Sequence, residues 1–250
     1  MNAAIRFLQV WGVPIGMGGA YAVLAWSSET DNTGKAWMAI GFSFVLVIWF
    51  VFRYLIKHAA LSRALATGDS ARVLGLTEKE LSSRTKPAAR APLLAYRARA
   101  FELRGDWPAA LSTLDEIDPA ALPAAQQPAW RLLAATIRVE AHVERGEAAQ
   151  ARQIFGRDVE PAATEVGRDR RVPAHVAATL ARGEVLWGEG AGEAALVELA
   201  KVIDDVRATE TQRATAHFYA ARIERDPKIV ARHKREAARL APGTWVAGTS

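Results

Sequence analysis

The chain has 250 residues, half of them hydrophobic, and 32 Lys and Arg against 27 Asp and Glu give it a net charge of +5 with a mean hydropathy of +0.00. This is too apolar for a disordered chain and lacks the Gly/Pro excess of a fibrous one. The absence of cysteine excludes a disulfide scaffold, a thiol nucleophile, an iron–sulfur cluster and a Cys-ligated zinc site. The zero mean is a sum over two unlike parts. An all-α chain is expected, with a transmembrane helical hairpin over 1–56, an α-solenoid of about four to five helix pairs over 57–241 and a short C-terminal tail over 242–250.

The first segment, Phe7 to Trp26, holds 20 residues without a charge; the second, Ala36 to Phe52, is also uncharged and continues through Arg53 to Ile56. A helix rises about 1.5 Å per residue, so ~20 residues cross a ~30 Å hydrocarbon layer. Spans over about 7–26 and 36–56 follow. The polar link Ser27–Lys35 lies between Trp26 and Trp37, where interfacial aromatics belong. Two buried helices of a soluble domain are disfavoured because both segments are apolar all round. Removal of the first as a signal peptide, at Val23-Leu24-Ala25, would leave the topology unchanged.

Arg6 precedes the first span, and Arg53, Lys57 and Arg63 follow the second, while the link carries a net charge of −1. The positive-inside rule then puts both termini in the cytoplasm. Arg53, Lys57 and Arg63 are placed to meet anionic lipid headgroups. In the first span Gly12, Gly16 and Ala20 recur at four-residue spacing, a face that lets another helix approach closely. It serves either packing against the second span or oligomerisation with a further helix, of this chain or of another.

Beyond Lys57 apolar and charged residues alternate at helical spacing, and helix punctuation recurs. Asp106 with Pro108 and Asp226 with Pro227 read as N-termini, Thr77-Glu78-Lys79-Glu80 has capping-box spacing, and Pro119, Pro123, Pro128, Pro161 and Pro173 divide the chain into helix pairs. Gly68-Asp69, Gly105-Asp106, Gly146-Glu147 and Gly190-Ala191 each end one helix and open the next, and Arg225-Asp226 takes the corresponding place near the end. The intervals are 37, 41, 44 and 35 residues. Around these turns small residues (Ala98, Ala110, Ala151, Gly183, Ala195) and large ones (Phe101, Leu114, Phe155, Leu199) recur at fixed offsets.

That pattern over about Ala59 to Leu240 resembles the tetratricopeptide repeat. The resemblance implies that Ala98, Ala110, Ala151, Gly183 and Ala195 sit where the two helices of a repeat touch, and that Phe101, Leu114, Phe155 and Leu199 fill the space between repeats. The first unit lacks the large residues and the intervals exceed the family's standard length, so another helical array stays open. The whole layout is similar to bacterial inner-membrane tetratricopeptide proteins of the HemY type, which implies a bacterial cytoplasmic membrane.

Chemistry is sparse. The five histidines form no pair at i, i+4 and no HExxH motif, which disfavours a metal site. Gly188-Glu189-Gly190-Ala191-Gly192 lacks the Lys-Ser/Thr of a phosphate loop. No catalytic constellation, cofactor site or metal site is expected. The only asparagines, Asn2 and Asn32, precede the repeats, so a clamp for a partner's C-terminal carboxylate is disfavoured. Residues 53–104 hold 11 basic and 4 acidic residues, 105–210 hold 11 and 18, and 211–250 hold 8 and 3. The basic face of Arg232, Lys234, Arg235 and Arg239 reads as solvated rather than as a nucleic-acid site.

The expectation is a membrane-anchored scaffold or adaptor whose cytoplasmic repeats bind a protein or peptide partner, with the acidic middle, Gly105 to Glu210, as the binding region. The alternative is an accessory subunit of a membrane enzyme or transport complex, assembled through its spans.

Overall fold

The computed structural model describes residues 32–84, 86–167 and 174–248. Every regular element among them is helical. Two compact units are present, residues 1–60 and 61–250.

Helix α1 runs from Asn32 to Ala66. Asn32 to Lys35, expected in the polar link, are already helical in it. Around its axis Ile40, Phe44, Val45, Val47, Ile48, Val51 and Ile56 are all exposed. Among the described residues no helix is long and apolar enough to cross a membrane. The first span, with Gly12, Gly16 and Ala20, lies outside the described residues. Arg53 and Lys57 fall within α1, and Arg63 is exposed in its last turn.

The second unit is a solenoid of helix pairs. The end of α1 pairs with α2 (Ser70–Leu81), α3 (Pro87–Leu103) with α4 (Trp107–Asp115), and α5 (Gln127–Glu144) with α6 (Ala148–Ile154) and α7 (Glu160–Val166). Then α8 (Ala174–Gly188) pairs with α9 (Gly192–Asp204) and α10 (Glu210–Ile223) with α11 (Pro227–Leu240), and α12 (Trp245–Gly248) closes the array. Four of the five turns between pair members share one construction. Gly68, Gly105, Gly146 and Gly190 have φ of +73°, +70°, +75° and +79°, a left-handed conformation that a Cβ disfavours. In each, the glycine N–H and the next N–H bond back to carbonyls three and five residues earlier, as in Gly190 to Trp187 and Ala191 to Leu186. This is the Schellman arrangement, which satisfies the last carbonyls of the first helix. No described non-glycine residue has positive φ, so the Arg225-Asp226 turn is built differently: α10 ends in extended backbone at Glu224.

Asp106 and Asp226 cap α4 and α11, accepting from the N–H groups of Ala109 and Lys228. The expected capping box at Thr77 is absent. Asp69 already caps α2 at Arg72, so Thr77 lies buried mid-helix and donates its hydroxyl to the Val73 carbonyl at 2.9 Å. The capping box that does form joins Thr209 and Gln212 at the start of α10. Pro161 does not divide a pair either. The helix continues from α6 through a wide turn, Phe155–Val159, into α7, and the Glu160 N–H reaches the Phe155 carbonyl. The proline then falls in the first turn of α7, where its missing N–H is tolerated.

Thr244 to Val246 pack against the array. Val246 is buried, and the Trp245 ring meets Phe218 at 4.6 Å and Trp107 at 5.5 Å, edge to face. A Cβ on Gly68 would lie 2.8 Å from Thr244 Cγ2. The array therefore curls until the segment following the last pair touches the first turn.

Candidate functional site

The curl brings one side of the first helices together. Counting back six residues from each turn, at Gly68, Gly105, Gly146, Gly190 and Arg225, gives Ser62, Arg99, Glu140, Glu184 and Tyr219. The first four of these line a cavity of about 340 Å³ whose walls come from all five first helices; Tyr219 is fully buried next in the row. Its apolar wall includes Leu132, Leu133, Ala177 and Leu180, and Thr136 and Thr215 also line it. Ala129 and Thr209, at the N-terminal ends of α5 and α10, are exposed and mark a mouth; Ser62 on α1 is the other exposed lining residue. The acidic groups are buried: Glu102, Glu140 and Glu184 are 3%, 5% and 2% exposed.

Arg99 Nη1 pairs with Glu102 Oε1 one turn along α3. Glu102 Oε2 is buried without a hydrogen-bond partner among the described residues. Burial of a carboxylate disfavours its charged form. Burial, reinforced by Glu144, pushes Glu140 up to about 7 against the pull of Arg99. Glu184 is raised well above the ordinary carboxylate range by burial and by Glu140, again against Arg99. Burial also lowers Arg99, which the two glutamates oppose.

A second cluster braces the cavity. Glu144 accepts the Tyr219 hydroxyl at 2.8 Å and Arg222 Nη1 at 2.9 Å. Arg222 in turn lies over the rings of Phe218 and Trp187, 4.2 and 5.0 Å from their centroids. The cluster ties α5, α8 and α10, so the wall that carries Glu140 and Glu184 is held on its far side. Elsewhere His217 and His233 meet Nδ1 to Nδ1 at 2.7 Å between α10 and α11, one donating and one accepting. Burial, with His233 beside it, lowers His217 to about 4, and burial lowers His233 as well.

The residues singled out for repeat packing sit in the solenoid core. Ala98, Ala110, Ala151 and Ala195 are fully buried, Leu114 and Leu199 nearly so, and Gly183 is buried. Phe101 and Phe155 are half-buried and pack against the core. A Cβ on Gly183 would lie 2.9 Å from Leu199 Cδ2. None of these residues lines the cavity. His142 is half-buried and its Nδ1 meets Glu147 Oε2 at 2.6 Å. Arg232, Lys234, Arg235 and Arg239 are exposed on α11.

Arg99, Glu102, Glu140 and Glu184 went unnoticed in the sequence because a glutamate in an Ala-rich helix reads as a solvated face. A signal was nevertheless present. The row six residues before the turns lies one position from the small-residue row containing Ala98 and Gly183, yet polar or charged residues recur in it. Within the expected binding region, Gly105 to Glu210, lie Glu140 and Glu184; Arg99, Glu102 and Thr215 fall outside it.

Among the described residues no group of three or more His, Asp or Glu is placed to hold a metal ion. No protein-family model, curated protein or solved structure matches the chain.

Proposed function

We propose that this chain is a membrane-anchored scaffold whose tetratricopeptide-like repeat unit binds a protein partner at the cavity encircled by its first helices. The cavity carries the reading. Stacked helix pairs present their first helices on a common inner face, and here that face holds an apolar wall with a few convergent polar groups, the usual make-up of a binding site. The four identical glycine turns support the kinship with tetratricopeptide repeats.

Anchoring rests on the apolar hairpin. Segments 7–26 and 36–52 carry no charge, and exposed Ile40, Phe44, Val47, Ile48 and Val51 on α1 make a surface suited to lipid. The cations after the second span favour a cytoplasmic repeat unit.

A photo-crosslinking amino acid at Thr209, at the mouth, tests the binding reading in native membranes. The expected result is a discrete adduct with one protein. Absence of any adduct at Thr209, with adducts forming from an outer-face position such as Lys234, would move the binding surface elsewhere.

A further inference from the structure

The cavity carries an imbalance that its own residues do not resolve. Three buried carboxylates, Glu102, Glu140 and Glu184, line it together with one cation, Arg99. That guanidinium is engaged by Glu102 Oε1, while Glu102 Oε2 has no partner among the described residues. Glu140 and Glu184 receive no hydrogen bond or ion pair from a described residue; their interactions are the fields of Arg99, of Glu144 and of each other. Of the remaining charged or titratable groups nearby, Tyr96 also lines the cavity, with its hydroxyl 3.3 Å from Ser62 Oγ, and Glu144 is satisfied by Tyr219 and Arg222. A buried carboxylate without a counter-charge is costly. An arriving cation would meet an electrostatic demand already in place.

The shape limits what that cation can be. The acidic groups are buried, and from the mouth at Ala129 and Thr209 a wall of Leu132, Leu133, Ala177 and Leu180 lines the cavity that holds them. A ligand entering by that mouth needs an aliphatic stem with a charge at its tip to reach the carboxylates. Lysine and arginine side chains have that form.

We propose that the cavity receives the side chain of a lysine or arginine carried by the protein partner, its stem against the leucine wall and its cation among Glu102, Glu140 and Glu184. This rests on the reading that the repeat unit binds a protein, and it names what is recognised. Entry of the cation replaces protons held by Glu140 and Glu184, so binding releases protons and tightens as pH rises. The absence of any lysine or arginine on the leucine wall leaves the stem channel clear for the incoming residue.

The test uses the full chain in lipid nanodiscs, with the peptides acetyl-Gly-Lys-Gly-amide and acetyl-Gly-Arg-Gly-amide, the norleucine counterpart as uncharged control, and spermidine as a free polyamine. Basic peptides are expected to bind about tenfold or more tighter than the norleucine peptide at pH 8, to weaken about tenfold by pH 5.5, and to lose that advantage in E140Q/E184Q. The pH series on the unmodified protein keeps the test decisive if the double variant folds poorly. Equal binding of the lysine and norleucine peptides overturns the proposal, as does no binding of any peptide. Charge-dependent binding of spermidine alone overturns it by assigning the cavity to a small amine. The Thr209 crosslink separates this from the reading beneath it. An adduct that persists in E140Q/E184Q leaves the scaffold standing and sinks the basic side chain, whereas no adduct in the unmodified protein sinks the scaffold reading.

Discussion

Tyr219 donates its hydroxyl to Glu144 at 2.8 Å across 75 residues of chain, and the bond links α10 to α5. Glu144 also accepts from Arg222, so the phenol is one of two groups that hold it. Removing the hydroxyl alone, in Tyr219→Phe, keeps the ring's packing and leaves Glu144 paired. A loss of about 1 kcal/mol is expected, read as a lower urea midpoint with an unchanged slope. Glu144→Ala strips a partner from both groups and is expected to cost roughly 2–3 kcal/mol. Equal midpoints for the two variants would show that the cluster is incidental.

Glu140 predicts a stability change of unusual sign. Its pKa is raised by burial to about 7, above the ordinary carboxylate value, so in the unfolded chain it releases its proton more readily. The stabilisation that this gives is complete below the unfolded value and disappears as pH rises through about 7. Glu140→Gln, which cannot ionise, should stabilise the ligand-free protein at pH 8 by on the order of 2 kcal/mol and do little at pH 4.5. Urea midpoints at the two pH values check this. A Gln variant less stable at pH 8 would mean that the carboxylate is compensated in the empty cavity.

The histidine pair works in the opposite direction. His217 is lowered to about 4, and it faces His233, Arg232, Glu236 and Arg239 from α11, with Glu224 near His233. Because the folded state holds the ring neutral, stability is present above about pH 6.5 and falls as pH declines toward 4. In His217→Asn the loss over that window should be smaller than in the unmodified chain. Thermal midpoints at pH 7, 5.5 and 4.5, taken as differences between the two proteins, isolate this from the glutamates.

Gly183 tests the packing between α8 and α9. A Cβ there would approach Leu199 Cδ2 to 2.9 Å and Leu199 Cγ to 3.1 Å, and Leu199 is fully buried. Gly183→Val should cost roughly 1–3 kcal/mol through overpacking. Adding Leu199→Ala should recover part of that loss rather than sum with it. Strict additivity of the two would show that the helices do not meet at this point.

Trp245 tests the closure of the array. Its ring rests against Phe218 and Trp107, so Trp245→Ala removes contacts to both the last and the second helix pairs. A loss of roughly 2–4 kcal/mol is expected, with faster protease cleavage after Leu240. Cleavage at an unchanged rate would mean that the ring does not hold this segment in place.

Much of this architecture is written locally. A glycine six residues beyond a polar position, followed by an acidic or small residue, is a signal carried within one turn, and Gly68, Gly105, Gly146 and Gly190 each build the Schellman turn from their own neighbours. Asp106-Trp107-Pro108 and Asp226-Pro227 start helices for equally local reasons. The uncharged runs 7–26 and 36–52 are likewise features of composition alone. Thr77 marks the limit of such reading, because its capping-box spacing lost to the earlier cap at Asp69.

The cavity was decided elsewhere. Whether Glu140 and Glu184 face water or a closed interior depends on how far the helix pairs curl, and that curl is the sum of small rotations at every pair contact, such as Gly183 against Leu199. Sequence alone determined the helices, their turns and the rows of residues they display. Only the tertiary structure determined that the row of Ser62, Arg99, Glu140, Glu184 and Tyr219 turns inward, because burial depends on neighbours brought together across the whole array.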